Sequence, residues 1–339
     1  MELLERLINS FGVSGNEGEV RELIKKEIEK YVDETYVDKF GNLIAHKKGK
    51  VPRVMLAAHM DEIGLMVKRL NEKGKIVFST LGGIEIPSLI GQKVTIQADK
   101  TQVIGVITSD QLSSGDEIKE LPKITDLYID AGLNKSQLTK LGIEIGNYIH
   151  FYDCTCSFIR DGEFVCGKAL DNRIGCYIQI ELAKLLKDNK NEIFYVFTVQ
   201  EEIGLYGART SAYTIDPAWA IAIDVTTTDD AYSTPTRSLG GGPCLTMKDA
   251  TMVGSKCVND WLKDIAKKNN IPIQYSVSEY GSTDALTISF SRGGIPATSV
   301  CVPVRNIHTV VGMASVKDIK NTIKILEFLL KKPPLACLV

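Results

Sequence analysis

The sequence predicts an α/β fold, a mostly parallel mixed sheet flanked by helices and interrupted by a small β-barrel-like insertion. Three observations predict it. The runs Val54 to Ala58, Ile193 to Val199, Trp219 to Ile223 and Pro296 to Val302 are short, apolar and rich in β-branched residues, the signature of strands buried on both faces. Helical periodicity lies between them, as in Ile174 to Leu185, so strand and helix alternate as they do along a parallel sheet. From about Lys68 to Arg160 the texture changes to short alternating strands with frequent glycines. Residues 1–67 and 161–339 therefore read as two parts of one α/β domain, and 68–160 as an inserted β domain.

Taken in order, Met1 to Ile8 reads as an amphipathic helix rather than a signal peptide, since it lacks a basic head and a continuous apolar stretch. Ser14-Gly15-Asn16-Glu17 has capping-box spacing ahead of Val20, Leu23, Ile24, Ile28 and Tyr31, which recur at helical intervals. The strand Val54 to Ala58 ends at His59-Met60-Asp61-Glu62. Within the insertion, Lys75 to Thr80, Lys93 to Ala98, Gln102 to Thr108 and Asn147 to Tyr152 read as strands, with one helical piece near Lys135 to Leu141. The turn signal Asp161-Gly162 leads back to the larger domain. Asp171 stands just before a helix, where alone it reads as an ordinary N-cap. Ile193 to Val199 runs into Gln200-Glu201-Glu202, and Trp219 to Ile223 ends at Asp224. A helix near Lys256 to Lys268, the polar loop Gly281 to Ala285, the strand from Pro296, His308, and a capped helix from Ser315 with Asp318 in its first turn complete the chain.

Composition narrows the function. The chain has 339 residues, 44% of them hydrophobic, enough for a large core. Lys and Arg number 40 against 42 Asp and Glu, with only short scattered basic clusters, so nucleic acid is not an expected partner. The glycine-rich stretch Leu239 to Pro243 lacks the Lys-Ser/Thr of a phosphate loop. No apolar run approaches the roughly 20 residues of a membrane helix. Eight cysteines without regular spacing read as free thiols in a reducing compartment, so a cytoplasmic protein is expected; Cys154-Thr155-Cys156 alone makes a poor metal or redox motif.

Glu201 and Glu202 at the end of a buried strand repel each other and resist desolvation unless cations or a proton-transfer task occupy the space before them. His59, Asp61, Asp171, Asp224 and His308 fall at other strand ends or helix starts. The other two of the four histidines, His46 and His150, read as surface or sheet residues. Two His with three or four carboxylates form an N/O donor set suited to zinc, cobalt or manganese, and too rich for one tetrahedral ion. Two divalent ions per chain are expected, with one carboxylate bridging and one acid left to move protons.

The motifs Ala58-His59-Met60-Asp61-Glu62-Ile63-Gly64, Ala169-Leu170-Asp171-Asn172-Arg173, Thr198 to Leu205, Ala222-Ile223-Asp224-Val225-Thr226 and Ile307-His308 occur in one order over nearly the whole chain. In them the sequence resembles the tetrahedral dodecameric aminopeptidases of the dinuclear-metal peptidase clan, whose members include leucyl, glutamyl, lysyl and deblocking enzymes, some labelled endoglucanase. The resemblance implies a phosphorylase/hydrolase-like metallopeptidase domain, peptides with a free N-terminus as substrates, and dimers formed through the inserted domain that assemble into a dodecamer. It also implies roles: Asp171 as bridging carboxylate, His59 and Asp224 as ligands of one metal, Glu202 and His308 of the other, Glu201 as general base, and Asp61 holding the His59 ring by its second N–H. Two departures stand out. Thr309-Val310-Val311 follows His308 where many relatives have Ser-Pro, and Asp110 to Glu117 lacks a proline-and-histidine motif.

Two rivals accompany this reading. Paired carboxylates also cleave glycosidic bonds, but sugar hydrolysis needs no metal-binding histidines. A non-catalytic scaffold on the same fold has no chemical need for a proton carrier such as Glu201.

Overall fold

The structure, a computed structural model, describes residues 1–98, 101–115, 120–152, 156–335 and 337. The larger body begins with α1 (Glu2–Asn9), α2 (Gly18–Ile28), β1 (Glu34–Val37), β2 (Leu43–Lys47) and β3 (Lys50–His59). The chain then builds β4 (Gly64–Leu70), β5 (Ile76–Leu81), β6 (Lys93–Gln97), β7 (Gln102–Ser109), α3 (Asp110–Ser114), β8 (Leu127–Asp130), α4 (Lys135–Lys140) and β9 (Tyr148–Phe151). These six strands close a barrel in the order β4-β5-β8-β7-β6-β9, every pairing antiparallel. The return path is β10 (Ser157–Ile159), β11 (Phe164–Gly167), α5 (Leu170–Leu185), β12 (Asn191–Thr198), α6 (Tyr206–Ile215), β13 (Trp219–Thr227) and β14 (Cys244–Lys248). It ends with α7 (Lys256–Lys268), β15 (Gln274–Val277), α8 (Asp284–Ser289), β16 (Ala297–Arg305), β17 (Gly312–Ser315) and α9 (Val316–Lys331).

The expected class is the observed one, a mixed α/β sheet with an inserted closed barrel. The large sheet runs β1-β2-β12-β3-β13-β16-β17-β11-β10, with β14 and β15 branching from β16. Its centre is parallel, and register sets Thr198 beside His59 and Asp224 beside Cys301. The carboxyl ends of β12, β3 and β13 thus share one edge, where an open α/β sheet collects its ligands. The barrel already starts at Gly64, and Ser157–Ile159 pairs in the large sheet, so the chain changes body a few residues from the points read as 68 and 160.

Alternate residues of the central strands serve two cores. Leu56, Tyr195, Phe197, Trp219 and Ile221 pack with α1, α2, α5, α7 and α9 on one face. Met55, Ala57, Val196, Ala220 and Ala222 meet α6 and α8 on the other through Ala208, Ala212 and Ala285. Small residues on both sides let those two helices sit close to the strand edge where the polar cluster lies. A separate apolar cluster fills the barrel and takes in Val310, so the departure after His308 seals the barrel against the loop that carries that histidine.

Both predicted N-caps resolve differently. Helix α2 starts at Gly18 with no side-chain cap; the Ser14 hydroxyl donates to Asp61 Oδ2 at 2.6 Å, and the Glu17 carboxylate accepts the N–H of Gly15 at 2.7 Å and of Gln200 at 3.2 Å. Ser315 makes no cap bond, and Asp318 accepts the N–H of Gly240 and Gly242 at 2.7 and 2.8 Å, anchoring the glycine-rich loop. In both places a tertiary partner wins over the local one. The free-thiol reading also needs correction: Cys257 and Cys337 are paired, Cα atoms 6.0 Å apart, tying the C-terminal segment to α7. Cys154 and Thr155 lie outside the described residues, as do Asp116 and Glu117.

The two histidines set aside are buried. His46 stacks on Phe194, ring centroids 3.9 Å apart, between Glu34 and Glu192. His150, 1% exposed, lies where the barrel meets the larger body, against Phe11 and with Nε2 3.2 Å from Gln97 Oε1. Burial holds its pKa down at about 4; Glu62 favours the charged ring, while Lys168 and Arg173 oppose it. Between pH 6.5 and 4 the unfolded chain binds a proton that the folded chain refuses, so stability falls as pH drops through that window. Comparing urea unfolding at pH 6.5 and 4.5, His150→Gln is expected to lose about 2 kcal/mol less than wild type. An equal loss in both proteins removes His150 from the acid response.

Candidate active site

Strand ends and turns bring all seven predicted residues together. His59 ends β3, Glu201 and Glu202 follow β12, Asp224 lies near the end of β13, and Asp171 opens α5. His308 comes from the loop between β16 and β17. His59 Nε2 stands 2.9 Å from Asp171 Oδ1, 3.6 Å from Asp224 Oδ1 and 4.0 Å from Glu201 Oε2. On the other side, His308 Nε2 stands 3.5 Å from Asp171 Oδ2 and 3.7 Å from Glu202 Oε2. Asp171 thus turns one oxygen to each histidine. Donor atoms of His59, Asp171 and Glu202 lie within 4.8 Å of one another, as do those of His59, Glu201 and Asp224.

Asp61 is fully buried beside the His59 ring. Its Oδ1 stands 3.5 Å from His59 Nδ1, farther than its own backbone carbonyl at 3.2 Å. The carboxylate accepts the N–H of Glu201 at 3.1 Å and of Glu202 at 3.2 Å, besides the Ser14 hydroxyl. It therefore locks the backbone that carries both glutamates. Glu17 holds the preceding Gln200 N–H, where the backbone is left-handed at φ 55°, a conformation that costs a non-glycine residue about 1 kcal/mol or more. His308 is left-handed too, at φ 57°. Beneath this layer Glu62 pairs with Lys168 at 2.7 Å and Arg173 at 3.2 Å, and Arg173 also donates to the Met60 carbonyl at 2.9 Å.

Several contributors were not singled out in the sequence. Gly82 and Gly83 follow β5 and pass so near that a Cβ would sit 3.1 Å from Glu202 Cβ and 3.0 Å from His308 Nδ1. A glycine pair is a generic turn signal, and only the close approach explains it here. Asp284, buried at the start of α8, accepts the Thr198 hydroxyl at 2.6 Å, and its charge is felt at Glu201. Gly281, Ser282 and Thr283 of the polar loop before it line a cavity. That cavity has a volume of about 610 Å³ and extends from the cluster past Thr226 and Thr227 to Ser276, Ser278 and Tyr280.

The electrostatics describe an anion cluster short of cations. Burial drives the Glu201 pKa well up, with Asp224, Glu202 and Asp284 adding to it against His59. Burial and then Asp171 push Glu202 up to about 8. Asp171 resists its burial because both histidines hold it ionised, and its pKa falls. The bond to Asp171, then Glu202, carries His308 up to about 9. Burial disfavours charge on His59, but Glu201, Asp171 and Asp224 outweigh it and its pKa rises well above normal. Glu202 Oε1 is buried with no hydrogen-bond partner among the described residues. Such an oxygen, within an all N/O donor set, fits divalent cations.

The M42 glutamyl aminopeptidase family profile matches residues 41–325. The chain is 41% identical to a putative aminopeptidase of Acetivibrio thermocellus, over 96% of each. It superposes on a TET aminopeptidase from the marine sediment archaeon Thaumarchaeota archaeon SCGC AB-539-E09 with a TM-score of 0.94 and 34% identity, over 99% of this chain and 97% of that one. A Pyrococcus horikoshii TET1 peptidase, described as assembling into a tetrahedron or a large octahedral shell, gives 0.87 at 31% identity over 97% and 98%. Other similar proteins carry other names: a lysyl aminopeptidase of Pyrococcus furiosus is 34% identical over 98% and 96%, and a Thermotoga maritima structure titled endoglucanase gives 0.77 at 31% over 96% of each.

Proposed function

This chain belongs to the M42 glutamyl aminopeptidase family and is a peptide hydrolase, and on that footing we propose that it is a metal-dependent aminopeptidase acting in the cytoplasm on peptides with a free N-terminus. The observation that carries the reading is the pair of half-sites sharing Asp171, one oxygen toward His59 and the other toward His308. His59 and Asp224 would hold one divalent ion, Glu202 and His308 a second, and Asp171 both. Such ions supply Lewis acidity to the scissile carbonyl and acidify a water. Glu201, buried and of raised proton affinity, takes the proton of the attacking water and returns it to the departing amine. Asp61 keeps Glu201 and Glu202 in register through their N–H groups.

By likeness to the shells formed by the Pyrococcus horikoshii peptidase, we further propose that copies of this chain pair through the barrel domain and assemble into a dodecamer. Chelated protein is expected to lose hydrolysis of free-N-terminus peptides and to regain it with Zn²⁺, Co²⁺ or Mn²⁺, while N-acetylated peptides and a β-glucan stay intact. The same preparation should scatter light as about twelve chain masses. Chelator-insensitive cleavage of the glucan, the activity named for the endoglucanase-titled structure, is the opposing result.

A further inference from the structure

Two basic clusters that lie far apart in the sequence meet in the fold. Lys47-Lys48-Gly49-Lys50 turns the chain from β2 into β3, and Lys331-Lys332 stands at the end of α9. The segment between α5 and β12 joins them. Lys50 donates its N–H to the Lys190 carbonyl at 2.7 Å, and Lys47 Nζ donates to the Lys187 carbonyl. On the other side Asn189 Nδ2 donates to the Leu330 carbonyl at 2.7 Å, and Asn191 Nδ2 to the same oxygen at 3.1 Å. Lys48, Lys50, Lys187, Lys190, Lys331 and Lys332 are all exposed on the end of the molecule built this way.

Acidic groups there are fewer. Glu34 pairs with Lys48 at 3.1 Å and with His46, Glu327 pairs with Lys331 at 2.7 Å, and Asp188 is exposed. Lys50, Lys187, Lys190 and Lys332 have no ion pair among the described residues. In a chain of formal net charge -2, this end is positive. Large apolar side chains stand among the lysines: Val51, Leu185, Phe328 and Leu335 are 42 to 72% exposed. Lys331 Nζ lies 6.0 Å from the Phe328 ring centre, and the Trp219 indole at the start of β13 holds the Pro334 carbonyl at 2.9 Å, which brings Leu335 to the same end. These are the amino ends of β3, β12 and β13, about 23 Å along β12 from Thr198 at the edge where the polar cluster lies.

The mixture of charge and apolar surface discriminates among occupants. A second copy in an isologous contact would set lysine against lysine. A nucleic acid would satisfy the lysines and leave the apolar groups in water, and Arg53, close by in β3, turns its guanidinium to the Ile215 carbonyl at 2.8 Å instead of outward. An anionic bilayer suits both sets. Lysine stems lie along apolar surface with their ammonium groups at lipid phosphates, while valine, leucine and phenylalanine sink to the boundary of headgroup and acyl chain. We propose that this end of the chain docks peripherally on an anionic phospholipid surface, with the cavity at the other end of the strands facing solution. The inference stands apart from the aminopeptidase reading.

The test is co-sedimentation of the full-length protein, in its native assembly, with vesicles of phosphatidylcholine alone or with an equal part of phosphatidylglycerol. Wild type is expected to sediment with the mixed vesicles only, and to bind less as salt rises from about 0.1 M to 1 M, where the screening length falls to about 3 Å. Each lysine near an anionic surface is worth about a fivefold change in partition, so the triple variant Lys50→Gln/Lys187→Gln/Lys190→Gln should bind about 100-fold more weakly. The double variant Val51→Ser/Leu335→Ser keeps every charge and should bind about tenfold more weakly. An unchanged circular-dichroism melt shows that each variant is folded, and the lipid and salt comparisons on wild type need no variant. Wild type that ignores the mixed vesicles, or a triple variant that binds them as wild type does, overturns the proposal. Unchanged binding by the double variant, or a single-stranded oligonucleotide held as tightly as the vesicles, makes the face a general polyanion site and overturns the bilayer assignment.

Discussion

Glu201→Gln is expected to lower kcat by about 10²- to 10⁴-fold while the protein keeps its full complement of divalent metal. The amide has the shape of the carboxylate and can still hydrogen-bond, but it cannot accept a proton from water. Two features of the site suit Glu201 to the proposed transfer. Asp61 Oδ1 holds its N–H at 3.1 Å, so its backbone is set before substrate arrives. Burial, with Asp224, Glu202 and Asp284 nearby, raises its proton affinity against the opposing charge of His59. Metal analysis separates this role from the alternative that the geometry also permits, because Glu201 oxygens lie within ligand distance of His59 and Asp224. Turnover within tenfold of wild type, metal retained, removes Glu201 as the base. Loss of metal together with turnover makes it a ligand instead.

Much of this site could be read in the sequence because its residues lie where periodicity stops. β3, β12 and β13 contain continuous apolar runs, and His59, Glu201, Glu202 and Asp224 are polar residues at or just beyond the ends of those runs, a place that local pattern marks well. What could not be read was the partner each polar side chain chooses. Ser14 and Glu17 carry the same letters whether they cap a helix or bind Asp61 and the Gln200 N–H, and those partners lie 47 and 183 residues away. Asp318 was misread for the same reason, its donors being the glycine-rich loop 76 and 78 residues earlier. Gly82 and Gly83 follow a strand of the barrel, which by sequence is a separate body, yet a side chain at either would crowd Glu202 or His308. His150 sits in an alternating strand that predicts half its residues outward; contact with Phe11 of the other body covers it.

Asp171→Asn tests the joint between the two half-sites and carries the other large effect. In the wild type Oδ1 serves His59 at 2.9 Å and Oδ2 serves His308 at 3.5 Å, and the carboxylate stays ionised despite its burial because both imidazoles favour the charge. The substitution keeps volume but removes one charge and turns one oxygen into an N–H₂ donor, which repels a cation on whichever side it faces. Residues outside the ligand sphere already cost 10- to 100-fold in metal affinity when changed, so if Asp171 is shared by two ions as proposed, its change should cost more than about 100-fold for at least one of them. Bound metal should drop toward one ion per chain, with peptide hydrolysis lost in parallel and little recovered by excess Zn²⁺ or Co²⁺. His308→Ala leaves Asp171 with its His59 partner and should weaken one ion only, so calorimetric titration of the two variants distinguishes a shared carboxylate from a ligand of a single ion. Two ions bound by Asp171→Asn with unchanged affinity would mean that the half-sites are independent and that the bridge lies elsewhere.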